Sequence, residues 1–493
     1  MERKSGVLMH ISSLPGDTGI GTMGDEARKF VDFLSAAHQT YWQILPLCQT
    51  SYGDSPYQSY STFAGNPYFI DLDYLKDDGL LKEKDYKDID WESDPTTINY
   101  EALYHKRFPI LRKAVKNFLK RRELKEYKEF EKKNDWLNDY ALFMTIKAIN
   151  NDVGLIDWEK KYRVKDKETI KEVKKKYRSD IKFWKVVQYF FYKQWFELKK
   201  YANDKGILII GDCPIYVAND SCDLWGNPEL FEVDENLVPK NVAGVPPDGF
   251  TPDGQLWGNP LYLWDVHKKT KYKWWIKRVK HLNEVYDILR IDHFRGLSRY
   301  FSVPYGDKTA RNGVWVDGPG NPLITAFKKR TNNKIIAEDL GYLDDEVKEL
   351  LAYSGYPGMA LLEFGFDMND GLNNFNSSFN LKKNQIIYIG THDSDTCMGW
   401  INNLKPDHLK FVKEFINYHD DEEIWWQMIK LLLSTVPDTA IVAAQDLIGL
   451  DNSARMNTPG KLGGNWLWRA NKGVFTKEIA EKLKHLTHLY SRA

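Results

Sequence analysis

Cysteine is scarce in this chain. Four thiols stand in 493 residues, Cys48, Cys213, Cys222 and Cys397, and no two of them are spaced as Cys-x-x-Cys. That spacing argues against a zinc site or a dithiol redox motif, and four free thiols suit a reducing compartment. Net charge is missing as well, since 69 basic residues balance 69 acidic ones. A chain with no excess of either sign has no global field to draw it to nucleic acid or to an anionic membrane, so neither is expected as a partner and a neutral substrate fits better. No run reaches the ~18 apolar residues that a membrane-spanning helix needs. The opening segment Met1–Val7 lacks the apolar stretch of a secretory signal, so a cytoplasmic location is expected. Internal repeats and low-complexity linkers are absent too.

Aromatic residues, by contrast, are plentiful at 14%, with 17 Trp and 28 Tyr. Rings in such numbers either fill a bulky core or serve as stacking platforms for the apolar C–H faces of sugars. A hydrophobic fraction of 42% allows a large core.

Short apolar runs recur along the chain, each ending in polar or turn residues. They are Gly6–Ile11, Trp42–Leu47, Ile207–Ile210, Ile288–Ile291, Lys334–Ala337, Met359–Leu362, Ile386–Ile389 and Ala440–Ala444. Runs of this length bounded by turn signals read as buried parallel strands. Amphipathic helical patterns lie between many of them, as at Asp25–Ala37, Lys273–Tyr286, Asp344–Ala352 and Glu422–Leu433. Eight strands alternating with helices predict an α/β fold, a (β/α)₈ TIM barrel. A doubly wound open sheet is the alternative, but polar groups at nearly every strand end favour closure.

Two gaps exceed a simple crossover. About 76–200 is rich in Lys, Glu, Tyr and Trp with a helical period, as in Tyr104–Tyr127, and reads as a helical insertion with a solvated charged face. About 213–270 is rich in Gly, Pro, Asp and Trp and reads as a long loop insertion covering the active site. The expectation is a single catalytic barrel over 1–493 with both insertions at its C-terminal face.

In such a barrel the site lies where the strands end. Those ends carry Asp212, Asp292, Glu338, Asp393 and Asp446. One carboxylate there could be a helix cap or the partner of an arginine, but several converging on one mouth suggest chemistry. Glycosyl transfer with retention needs two carboxyl groups, one to attack the anomeric carbon and one to protonate the leaving oxygen. Asp292 and Glu338 end the fourth and fifth strands in succession. Arg290 lies two residues before Asp292, on the same strand face, where its guanidinium can keep Asp292 ionised. Glu338 must start protonated, which calls for burial or a nearby negative charge, and Asp393 can supply the latter.

The segment Leu289–Gly296, LRIDHFRG, resembles the nucleophile strand of the α-amylase superfamily. Ala337–Gly341 and Gly390–Thr396 resemble its acid/base and His–Asp segments. Two loops resemble amylomaltases, the 4-α-glucanotransferases, more narrowly: Asp54–Ser61 with Ala64–Tyr68, and Gly244–Phe250 with Gly254–Pro260. The order and spacing of the motifs match over roughly residues 5–470. Gly211-Asp212-Cys213-Pro214 lacks the Asn-His ending of the amylases proper, and Met368 stands where some relatives place a second acidic residue.

This resemblance implies Asp292 as nucleophile, Glu338 as acid/base and Asp393 as transition-state stabiliser. It implies that Arg290 and His392 bind at the cleaved bond, that Ser55, Tyr57, Gln255, Trp257 and Asn465 line sugar subsites, and that the Asp248 loop arches over the glucan. Asp212 would be structural or substrate-orienting. Maltooligosaccharides and α-1,4-glucans are the implied donors and acceptors, with no cofactor and no metal. An amylase-like hydrolase and a glucan-binding protein on a decayed barrel are the alternatives. The joint presence of Asp292, Glu338 and Asp393 speaks against the second.

Overall fold

A computed structural model describes residues 3–51, 53–247, 251–332, 334–341, 343–369 and 374–493. Each of the eight apolar runs supplies a barrel strand: Lys4–Leu8, Tyr41–Gln43, Leu208–Cys213, Ile288–Ile291, Lys334–Ala337, Gly358–Leu361, Gln385–Tyr388 and Thr439–Ala443. They pair in parallel in chain order, with the eighth strand beside the first. Ile288–Ile291 and Gly358–Leu361 are buried at every position. That is the pattern of strands covered by helices outside and filled by side chains inside, and it explains why the runs are mostly apolar rather than alternating.

The ring closes between the fifth and sixth strands. Ala337 N–H donates to the Pro357 carbonyl at 2.9 Å, and Met359 N–H donates to Asp339 Oδ1 at 2.6 Å. This closure needs a glycine at 358, because a Cβ there would lie 2.4 Å from Asp339 Oδ2.

The predicted barrel helices are present as Asp25–Ala36, Lys273–Val285, Asp345–Ser354 and Ile424–Ser434. The third starts where Asp344 accepts the Val347 N–H at 3.0 Å and stops at Gly355, whose φ is +67°. Between the second and third strands lie the helices Tyr100–Phe118, Lys125–Lys133, Leu137–Ile149, Lys167–Lys176 and Arg178–Asp204, with shorter turns. The continuous pattern at Tyr104–Tyr127 is thus two helices. The chain turns at 119–124, and the rings of Phe118 and Tyr127 meet edge-on at 6.0 Å. Helical period alone does not register such a turn. Arg178–Asp204 packs on Leu137–Ile149 and also on the third strand. Its Trp195 Nε1 donates to the Val285 carbonyl at 3.0 Å, tying the insertion to the barrel's helical shell.

The segment 213–270 holds more order than its composition suggests. Asn241–Val245 and Gln255–Pro260 form antiparallel strands, joined by Arg299–Pro304 and Val314–Asp317 from the loop after the fourth strand. Glycine and proline in these short strands mask their local signal, and distant partners supply the pairing that makes them a sheet. No helix among the described residues is long and apolar enough to cross a membrane.

Candidate active site

Asp212 on the third strand and Arg290 on the fourth are register partners, so both side chains leave the same face. Arg290 Nη1 lies 2.6 Å from Asp212 Oδ2 and 2.9 Å from Asp292 Oδ1. The side chains of Arg290 and Asp212 are only 3% and 1% exposed, so little solvent screens this bridge. The Tyr57 hydroxyl donates to Asp212 Oδ2 at 2.7 Å and lies 2.9 Å from His392 Nε2. A phenol has one proton to give, and Asp212 takes it, so His392 Nε2 must carry a hydrogen and donate. The Tyr57 and His392 rings stack at 5.4 Å and 11°.

His392 Nε2 also faces Asp393 Oδ2 at 3.3 Å. Burial pushes the imidazole down, but Asp393 more than offsets that and leaves it raised. Burial likewise pushes the Asp393 carboxyl up, yet His392 and Asn457 draw it down to about 2. Asn457 Nδ2 donates to Asp393 Oδ1 at 2.6 Å. Asp393 is therefore an anion fixed at both oxygens.

Glu338 follows the fifth strand. Its Oε2 accepts the His293 N–H at 2.7 Å and its Oε1 the Leu340 N–H at 2.8 Å. His293 adopts φ 49°, in the left-handed region, so the chain turns sharply just after Asp292 and delivers that N–H to Glu338. The two carboxyl groups thus border the same turn. Burial raises both, Asp292 to about 7, with Arg290 opposing the rise and Asp212 and Glu338 adding to it. Two such neighbours resist being charged together. Arg290 bonds to Asp292, whereas both oxygens of Glu338 are held by main-chain N–H groups.

The other sequence-derived residues fall into two groups. Trp257, on the strand Gln255–Pro260, sets its ring edge-on to His293 at 4.8 Å, and its Nε1 donates to Gln255 Oε1 at 3.1 Å. Gln58 Nε2 donates to the Trp257 carbonyl at 3.3 Å and to Asn259 Oδ1 at 3.0 Å, stapling the Tyr57 loop to that strand. Ser55 Oγ accepts the Tyr57 N–H at 3.2 Å and so shapes the turn that presents Tyr57. Asn465 is spent locally: its Oδ1 accepts the Thr458 N–H at 3.0 Å and its Nδ2 donates to the Lys461 carbonyl at 2.8 Å. Its neighbour Trp466 is the side chain that reaches the cluster, with its ring 5.9 Å from Tyr57 and 6.0 Å from His392. Asp248 lies outside the described residues. Asp446, at the end of the eighth strand, anchors the start of the helix Cys397–Asn403 through the Cys397 N–H at 2.8 Å. Gln58, Asn457 and Trp466 escaped the sequence reading. Only Trp466, an aromatic beside the glycine pair 463–464, carried a local hint.

One buried carboxyl near this wall has a consequence for stability. Burial pushes Glu363, just past the sixth strand, up to about 8, with Ser394 bonded to it pulling the other way. An unfolded glutamate titrates near ~4.3. Between these values the folded chain holds a proton that the unfolded chain lacks, so stability is fully present below about pH 4 and is lost as pH rises through about 8. Glu363→Gln keeps a neutral group in place and should flatten the fall in melting temperature between pH 5 and 8. Calorimetry showing the same slope as wild type would count against a protonated Glu363.

The chain matches the family model described as 4-alpha-glucanotransferase over residues 9–475. The chain belongs to the 4-α-glucanotransferase family. It is 46% identical over 488 residues to a 4-α-glucanotransferase from Clostridium butyricum, covering 98% of this chain and 100% of that protein. It is 45% identical over 495 residues to one from Streptococcus pneumoniae, covering 100% and 98%. Among solved structures, an amylomaltase from Streptococcus agalactiae in complex with acarbose superposes with a TM-score of 0.97 at 45% identity, each chain covered in full. The chain is accordingly a 4-α-glucanotransferase: it transfers α-1,4-glucan segments to the 4-hydroxyl of an acceptor with retention at the anomeric carbon.

Proposed function

We propose that Asp292 is the nucleophile, Glu338 the acid/base and Asp393 the transition-state stabiliser of this transfer. One observation carries the assignment: Arg290 bonds Asp292, while Glu338 borders the same turn without that guanidinium. In the first step Asp292 attacks the anomeric carbon as Glu338 gives its proton to the departing glycosidic oxygen, leaving a covalent glucosyl ester. In the second step ionised Glu338 takes the proton of the incoming 4-hydroxyl, and the ester bond to Asp292 breaks. Positive charge develops on the sugar in both steps, and the Asp393 anion, fixed by His392 and Asn457, opposes it. Arg290 and His392 bind beside the cleaved bond, and Tyr57 and Trp257 supply ring faces to neighbouring sugars. Ser55 and Gln255 act through Tyr57 and Trp257. The helical insertion and the segment 213–270 wall the cleft within one catalytic barrel. Asn465 contributes through the loop that seats Trp466.

Maltotriose tests this reading. Wild-type protein should yield glucose and a ladder of longer chains. Trp257→Ala should lose at least ~1 kcal/mol of transition-state stabilisation in the same assay. Unchanged kinetics in a folded Trp257→Ala would return that ring to packing, and shorter sugars alone from wild type would mean hydrolysis.

A further inference from the structure

The turn that carries His392 and Asp393 lies beyond the hydrogen-bonded ladder of the seventh strand, which ends at Tyr388. Its internal bonds are weak. Ser394 N–H meets the Thr391 carbonyl at 3.2 Å and Asp393 N–H meets Thr391 Oγ1 at 3.3 Å. The stronger hold comes from Arg455, 62 residues downstream of Asp393 and past the eighth strand.

The guanidinium of Arg455 engages three acceptors, one per nitrogen. Nη2 donates to the Asp393 carbonyl at 2.8 Å, Nε donates to the Asn457 carbonyl at 2.8 Å, and Nη1 pairs with the Asp395 carboxylate. Asn457 in turn donates its N–H to the His392 carbonyl at 3.0 Å and its Nδ2 to Asp393 Oδ1 at 2.6 Å. Asp393 is thus gripped at its carbonyl by Arg455 and at its carboxylate by a residue that Arg455 itself places. The Arg455 and Asp395 side chains are 23% and 20% exposed, so this is not a solvent-screened surface pair.

We propose that Arg455 is a positioning residue for glucan transfer, acting by fixing where the Asp393 carboxylate stands relative to the sugar; this rests on the role given to Asp393 above. Electrostatic stabilisation of a developing charge depends on preset geometry, and a shift of about 1 Å is enough to cost ~100-fold in rate. A planar fork of donors can span three separate acceptors at fixed angles. A lysine ammonium is a single point and cannot. The arrangement therefore asks for arginine at 455, not merely a cation.

The test uses the full chain and maltotriose, with acarbose as the inhibitor probe. Arg455→Lys should lower kcat by about 30-fold or more with KM changed less than about threefold, and should raise the acarbose inhibition constant by a similar factor to kcat. Asn457→Ala should show the same split, and the double variant should lose little more than the worse single one, because both act through Asp393. Methylguanidinium should restore part of the turnover of Arg455→Ala and none of Asp393→Asn. A folded Arg455→Lys with kcat within about threefold of wild type would overturn the proposal. So would additive losses in the double variant, or a loss that only follows the fraction unfolded. Should Arg455→Ala fail to fold, Arg455→Lys and Asn457→Ala still decide the matter. An inactive Asp393→Asn beside an active Arg455→Lys sinks this inference alone. A fully active Asp393→Asn sinks the role of Asp393 first.

Discussion

Asp292→Ala is expected to lose at least ~10⁴-fold in transfer, and Glu338→Ala a comparable amount on natural glucans, but the two losses differ in kind. Without the Asp292 carboxylate neither covalent step has an attacking oxygen, and no choice of donor repairs that. Without Glu338 the attacking oxygen remains and Arg290 still orients it at 2.9 Å. In the first step only proton donation is lost. An α-glycosyl fluoride leaves as fluoride and needs little protonation, so its first step should survive in Glu338→Ala. The second step then stalls for want of a base, and a glucosyl ester should accumulate on Asp292. Azide, an anion that needs no base, should attack that ester and release an α-glycosyl azide. Mass spectrometry of digested protein locates the adduct. An adduct on Glu338, Asp212 or Asp393 would reverse the assignment, and full activity of Asp292→Ala on maltotriose would remove it.

Arg290→Met is expected to damage the fold as well as the chemistry. One nitrogen of Arg290 serves both Asp212 and Asp292, deep enough that Asp212 is 1% exposed. Removing the cation leaves Asp212 buried with Tyr57 as its remaining donor. Stranding one member of a buried ion pair costs about 3–5 kcal/mol. Urea unfolding at pH 7 should show a loss of that order. Adding Asp212→Asn should recover part of it, since the uncompensated charge is then gone. Activity should not return, because Asp292 still lacks the guanidinium that holds it ionised and aimed. A single variant as stable as wild type would mean that water or a shifted side chain reaches Asp212. Recovery of activity in the double variant would mean that Asp292 does not depend on Arg290.

The barrel and the placing of carboxyl groups at its mouth were legible because each rests on a local signal. A parallel strand covered on both faces is a short apolar run wherever it occurs, and the first polar residue after it marks the mouth of the barrel. Ile288–Ile291 followed by Asp292, and Lys334–Ala337 followed by Glu338, needed nothing else. The Arg290–Asp292 contact was legible too, since residues two apart on a strand share a face. The small antiparallel sheet was not, because Asn241–Val245 pairs with Arg299–Pro304 across some sixty residues and neither strand has a clean period. Asp446 showed the converse limit. It follows a strand like the others, yet it lies in the short helix Ala444–Leu447 and is bonded to the Cys397 N–H at the start of a neighbouring helix.

What the sequence determined by itself was therefore the number of strands, their order and the chemistry offered at their ends, since these follow from residue type and spacing within a few positions. Tertiary structure alone decided which groups meet: Tyr57 with Asp212 and His392, Trp466 rather than Asn465 against those rings, and Arg455 and Asn457 behind Asp393. These contacts span from about 60 to over 300 positions. Their geometry is set by how loops from different strands close over one mouth, and no local pattern along the chain records that distance.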